Sequence, residues 1–373
     1  MVAKRPLYRS DWHAASDQPR RVSDERLKRE LRWVAIPEYA RTLATLATVG
    51  PLITWRFCEM PTESRRVIAP GDFIGLGVTP GSAARKDLVD LVAELGIRRL
   101  LLRLPVWHLA RLDEYAAFIA AFPRCEFMVT VMQDRAAVLA PERWQDDLRR
   151  IFTALPTVSE FQIGQAPNRM KWGCLHLGEY FDLAERAHQL RDEFPRLVLA
   201  GPGLIDFEPL VMVRSLMTAR RFRFDAVAAA LYVDRRGAPG NKQYGIFDLS
   251  AKIRLQSAIA SLSPRLRVRD RQRLWITETN WPLAGTGEAA PTSAAECVNE
   301  DEYADYLRAY YQQAYATGLV ERVYWWQLVA AGYGLVDPRG GALRRRSGFH
   351  ILRKLISGET ELGYSGSRRF TLA

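Results

Sequence analysis

Residues 73–104 read FIGLGVTPGSAARKDLVDLVAELGIRRLLLRL. The stretch opens on one short, mostly apolar run, 73–78, and closes on another, 99–104. Each run is bounded by polar or turn residues, as strands buried on both faces of a parallel sheet are. Between them Arg85-Lys86-Asp87 leads into a helical pattern over 88–95, and Gly96 stands where such a helix ends. One strand–helix–strand unit is therefore legible without reference to the rest of the chain.

The same alternation continues outward. Further apolar runs occupy 127–132, 160–164, 197–201, 226–232, 274–278 and 323–328, with helical patterns such as 179–194 and 302–317 between them. Eight strand-then-helix units between Phe73 and Gln327 are the arithmetic of a (β/α)8 barrel, which takes about 250 residues. A doubly wound open sheet is the alternative, but it rarely needs eight units. The expectation is an α/β chain: a (β/α)8 TIM barrel over 68–357, a basic helical N-terminal extension over 1–67, and a short C-terminal tail over 358–373 that forms a small hairpin. Within the extension, Ser23-Asp24-Glu25 opens a helix through N-cap chemistry. Gly50-Pro51 breaks the apolar stretch that comes after it.

Composition narrows the function. The chain has 373 residues, 48 % of them apolar, enough for a real core and too many for a disordered protein. Its four cysteines are scattered with no C-x-x-C pair, and its five histidines form no cluster. Neither a zinc ribbon, a disulfide framework nor a metalloenzyme is expected, and a reducing compartment suits the cysteines. The glycines of 75–81 miss the dinucleotide spacing because Pro80 takes the third glycine's place, so no cofactor is expected. No apolar segment directly follows the basic start, so no secretory signal is expected. The 14 residues between Arg41 and Arg56 are too few to span a membrane, which takes ~20.

The net charge of +11 sits at the ends. Residues 1–70 hold 13 Lys/Arg against 8 Asp/Glu, residues 339–373 hold 8 against 2, and the stretch between is neutral. A nucleic-acid enzyme carries its charge around its site, so no nucleic-acid partner is expected. The ends read as solvated tails, or as a surface making weak contact with anionic lipid. The corresponding expectation for location is the cytoplasm, peripheral to the inner face of the membrane.

In such a barrel the chemistry follows the C-terminal ends of the strands. The second strand ends Arg103-Leu104-Pro105-Val106-Trp107, the fourth Gln165-Ala166-Pro167-Asn168, and the sixth Leu231-Tyr232-Val233-Asp234. The seventh reads Ile276-Thr277-Glu278-Thr279-Asn280-Trp281. The eighth reads Trp325-Trp326-Gln327-Leu328; its adjacent tryptophans point to opposite faces, so one faces the barrel centre. His108 and His176, near strand ends, read as structural histidines.

This ordered set resembles the clan A retaining glycoside hydrolases, chiefly their family 39 and family 5 branches, over roughly residues 70–357. The resemblance implies Glu278 as nucleophile, with Arg103, Trp107, Gln165, Asn168, Tyr232, Trp281 and Trp326 binding an oligo- or polysaccharide, for instance a bacterial surface polysaccharide. One departure stands out. The fourth strand of these enzymes ends Asn-Glu-Pro, its Glu being the general acid/base, and here that position is Ala166. Alanine donates no proton, and losing general acid catalysis costs ~10²–10⁴ in rate. Another carboxyl group could serve, and Asp134, Asp206, Asp234 and Glu179 are the candidates, although Asp206 and Asp234 also read as helix caps. The alternatives are a substrate whose leaving group needs no proton, a non-catalytic saccharide-binding barrel in polysaccharide assembly, and unrelated chemistry on the same fold.

Overall fold

The computed structural model describes residues 12–20, 22, 24–62, 68–266 and 273–363. Eight parallel strands close into one barrel. In chain order they are β1 (Ile74–Val78), β2 (Arg99–Pro105), β3 (Glu126–Met132), β4 (Glu160–Ile163), β5 (Val198–Ile205), β6 (Ala226–Ala230), β7 (Leu274–Thr279) and β8 (Val320–Trp325). The circle closes where Val323 of β8 pairs with Ile74 of β1. The expected (β/α)8 architecture is the observed one. The eighth strand begins and ends three residues earlier than the apolar run suggested, and β5 runs on to Ile205 through a register shift between Pro202 and Leu204.

Side-chain alternation divides the apolar residues into two cores. Along β2, Leu100, Leu102 and Leu104 join the large core between sheet and helices, while Leu101 faces the barrel interior. The interior is filled by Leu101, Met128, Trp275, Tyr324 and Trp326. Two glycines of β1 make that filling possible. A Cβ on Gly75 would lie 2.3 Å from the Tyr324 ring, and one on Gly77 would lie 2.3 Å from the Trp326 ring. The G-x-G of this strand is thus space left for two aromatic side chains.

An irregularity in β7 decides where Glu278 points. Ala229 of β6 faces Ile276, but the next residue, Ala230, faces Glu278. The extra residue, Thr277, shifts the alternation by one, as bulges beside functional sites do. Ile276 belongs to the outer core. Without the shift Glu278 would share that orientation.

The N-terminal segment lies against the barrel. Helix α1 (Glu25–Glu59) is 35 residues long and continues through Pro37 and Pro51, so Gly50-Pro51 does not break it. Proline removes one helical hydrogen bond, but tertiary packing offsets that loss. The helix lies on Pro209–Leu216 and Leu249–Leu262. Glu38 pairs with Arg214 at 2.6 Å, and Arg254 donates to the carbonyls of Phe57 and Met60 at 3.2 and 3.3 Å. Asp24 accepts from the Arg26 N–H at 2.9 Å at the start of the helix; Ser23, the expected cap, lies outside the described residues. Before α1, Trp12–His13 pairs antiparallel with Gln18–Pro19, forming a short strap. At the other end Ser347–Ser357 is the last helix, ending at Gly358. The hairpin expected of 358–373 falls largely outside the described residues.

Candidate active site

The ends of β2, β5, β6, β7 and β8, with the loop after β4, open on one cavity of about 570 Å³, within the ~300–1,000 Å³ of small-ligand sites. Glu278 sits in it, 8 % exposed. Three donors converge on its carboxylate. Arg103 and Tyr232 make short hydrogen bonds to its two oxygens, and Gln165 Nε2 donates to Oε2 at 2.8 Å. Gln165 is itself fixed: Gln162 Nε2 donates to its side-chain oxygen at 2.9 Å, and Gln133 exchanges two hydrogen bonds of 2.9 Å with its backbone. Burial, reinforced by the Glu278 charge, pushes the Tyr232 hydroxyl well above its ordinary range, so it remains a proton donor.

Trp326 closes the barrel beneath Arg103. The guanidinium carbon lies 3.7 Å from the centroid of its indole, and Gly77 approaches the same ring. The ring is therefore a support for Arg103 rather than an open stacking surface for a sugar.

The strap brings a second carboxyl group to the cavity. Asp17 has left-handed backbone geometry, φ 50°, and its side chain is 22 % exposed. Its Oδ2 lies 3.8 Å from Nη1 of Arg103, while Nη2 of the same group holds Glu278. Burial pushes the Asp17 carboxyl up to about 6; Arg103 opposes the shift and the Glu278 charge adds to it. The strap is anchored on several sides. Gln18 Nε2 donates to the Pro291 carbonyl at 2.9 Å, Lys171 donates to Gln18 Oε1 at 2.6 Å, and Tyr333 OH donates to the Ser16 carbonyl at 3.4 Å. The Trp12 ring packs on Trp107 and Trp172, with centroids at 5.7 and 6.1 Å.

Of the residues singled out in the sequence, Glu278, Arg103, Gln165, Tyr232 and Trp326 meet here. Three others do not. Asn168 spends its side chain on the Ile205 backbone and Glu208. Trp281 is 1 % exposed, stacks on Trp325 and donates to the Gly237 carbonyl. Trp107 backs the strap and does not line the cavity. Among the candidate acids, Asp134 caps the helix after β3 by accepting from Ala137. Glu179 is buried in a 2.6 Å ion pair with Arg135. Asp234 opens a short turn outside the cavity lining. Asp206 lines the cavity, but Arg169 holds it at 2.8 Å. Ala166 is fully buried at φ 44°, clustered with Met132 and Trp172. Of the two structural histidines, His108 pairs with the Tyr115 hydroxyl at 2.8 Å. Asp17 escaped sequence reading because Ser16-Asp17-Gln18-Pro19 looks like an ordinary exposed turn. Nothing local in it signals that it folds over a barrel mouth.

No protein-family model matches the chain, and no curated protein matches it. Solved structures do resemble it. A family 39 glycoside hydrolase from Bacteroides cellulosilyticus superposes with a TM-score of 0.57 at 13 % identity, over 78 % of this chain and 65 % of that one. A β-glucosidase from Thermotoga maritima gives 0.55 at 10 % identity, over 82 % and 100 %. A family 2 β-galacturonidase from Eisenbergiella tayi gives 0.51 at 13 % identity, over 76 % and 51 %. The chain thus spans less than two thirds of the length of the Bacteroides enzyme. At these identities the likeness is one of fold: this is a (β/α)8 barrel of the kind these glycoside hydrolases have.

Proposed function

We propose that the chain is a retaining glycosidase or transglycosidase acting on an oligo- or polysaccharide, with Glu278 as nucleophile and Asp17 as proton donor. The observation that carries this reading is the shared guanidinium: Arg103 holds Glu278 on one terminal nitrogen and approaches Asp17 with the other. The two carboxyl groups thus face one cavity from one guanidinium, and a retaining mechanism requires such a pair at roughly 5–5.5 Å. They also differ in character. Glu278 accepts from three donors and is aimed for attack, whereas Asp17 keeps its proton to about pH 6. Such divergence is what separates an acid from a nucleophile in one pocket.

In the first step a Glu278 oxygen bonds to the anomeric carbon as the glycosidic C–O bond breaks, and the leaving oxygen takes the proton of Asp17. In the second, water attacks the glycosyl ester, Asp17 takes its proton, and Glu278 leaves. Under this reading Ala166 stands where the resembling enzymes carry their acid, and the strap supplies the missing group from outside the barrel.

The test is covalent trapping. Incubation with activated 2-fluoro glycosides of several sugars is expected to add one glycosyl unit, mapped by peptide mass spectrometry to Glu278. Asp17→Asn should lower kcat/KM on unactivated glycosides by ~10²–10⁴ and spare kcat/KM on aryl glycosides with good leaving groups, whose kcat falls because water then attacks the glycosyl ester without a base. If no sugar of the panel forms an adduct while oligosaccharides still bind, the barrel binds saccharide without cleaving it and the proposal fails.

A further inference from the structure

Among the described residues, the outer face of α1 carries most of the exposed large apolar side chains. Trp33 is 69 % exposed, Leu43 62 % and Trp55 54 %, with Ile36 and Tyr39 between them at 48 % and 59 %. Trp33, Ile36, Leu43 and Trp55 fall on one side of the helix at 3.6-residue periodicity. Ala35, Glu38 and Ile53 fall on the other and are buried against the barrel helices. At 1.5 Å per residue the apolar stripe is about 33 Å long. Exposed apolar side chains also cluster beside it. Leu210, 46 % exposed, is on a helix that packs against α1. Tyr244 and Ile246, 72 % and 65 % exposed, precede Phe247, whose ring meets Phe57 of α1 at 6.2 Å.

Between Trp33 and Trp55 this face exposes no acidic side chain. Residues 39–58 contain no Asp or Glu, and Glu38 is turned inward onto Arg214. Among the described residues from Trp33 to Trp55, Arg41 is the one exposed charge on α1; the turns before Trp33 expose both signs, Arg26 and Arg29 beside Glu25 and Glu30. We propose that the outer face of α1 docks flat on an anionic lipid bilayer, its apolar stripe entering the headgroup boundary. Tryptophan favours that boundary, and arginine beside an apolar stripe favours anionic headgroups. A second copy of the chain fits the face less well, because each copy carries +11 and brings its own arginines to the contact. Among the described residues no helix is long and apolar enough to cross a membrane, so the contact lies along the surface. The α1 residue Lys28 lines the cavity, which sets the barrel mouth at the edge of the docked face. The inference is independent of what that mouth does.

The experiment is co-sedimentation of the full chain with vesicles of phosphatidylcholine alone or mixed with phosphatidylglycerol, at low and high salt. Brominated-lipid quenching of tryptophan fluorescence is read in parallel. The full chain should pellet with the anionic vesicles at low salt, release at high salt, and show quenching. The combined variant Trp33→Ser, Leu43→Ser, Trp55→Ser should bind about tenfold less or worse, with an unchanged thermal melt because all three sites are exposed. The proposal is overturned if the wild type stays in the supernatant with both vesicle types, if the triple variant pellets equally, or if bound protein shows no quenching. It is likewise overturned if sedimentation velocity finds a dimer that the triple variant dissociates while neither protein binds vesicles, since a second copy then covers the face.

Discussion

A carboxyl group beside an arginine ordinarily titrates low; Asp17 is pushed up to about 6 because burial and the Glu278 charge outweigh Arg103. Two outcomes are expected at the residue scale. Removing the Glu278 charge removes one raising cause, so Glu278→Gln should abolish turnover and also lower the Asp17 pKa, read by carboxyl-carbon NMR titration. The raised pKa also enters stability. Folded Asp17 binds its proton up to about pH 6, whereas the unfolded side chain releases it near 3.8. Its contribution is therefore complete below about pH 4 and is lost as pH rises through about 6. Compared with Asp17→Asn, the wild type should lose on the order of 2 kcal/mol across that window, measured by urea unfolding at several pH values. At Ala166 the geometry argues against a simple repair. A glutamate there meets Met132 and Trp172 in a fully buried site, so Ala166→Glu should cost about 2 kcal/mol or more by the same method. Glu278, Arg103, Gln165 and Tyr232 were legible in sequence because strand ends of one barrel share one mouth. Asp17 was not, because its place depends on contacts with Lys171, Pro291 and Tyr333, far along the chain and invisible to any periodicity.

Elements were legible where the period was clear. The strands β1, β2 and β3 are read within a residue from their apolar runs, since burial on both faces leaves no other pattern. The bulge of β7 was not, because Thr277 looks like any strand residue and only pairing with β6 reveals the extra one. The continuity of α1 was missed for a related reason: Gly50-Pro51 breaks isolated helices, and this one is held by the barrel helices beneath it. The narrow interior of β1 yields a sharp expectation. Gly77→Ala places a methyl group 2.3 Å from the Trp326 ring. The ring must move, and with it the support of Arg103, 3.7 Å away. The variant should lose about 1–3 kcal/mol of stability by urea midpoint. It should also lose kcat/KM on activated and unactivated glycosides alike, unlike Asp17→Asn.

For the whole molecule, strap and α1 contribute differently. A chain that begins at Asp24 lacks Asp17 and the strap's contacts but keeps α1 and its packing on the barrel helices. It should melt within a few degrees of the intact chain, on the rule of about 2–4 °C per kcal/mol at this size. Its turnover of unactivated glycosides should fall as it does in Asp17→Asn. Removing α1 as well uncovers the faces of Pro209–Leu216 and Leu249–Leu262 on which it lies, so that shorter chain should aggregate in sedimentation assays while the first stays monodisperse. The strap also sets a timetable. It is translated before any barrel strand, yet two of the groups that hold it, Pro291 and Tyr333, follow β7 and β8. A nascent chain therefore lacks part of the strap's anchorage until β8 has closed the circle. Completion of the barrel and full anchoring of the strap are thereby coupled in the protein's biogenesis.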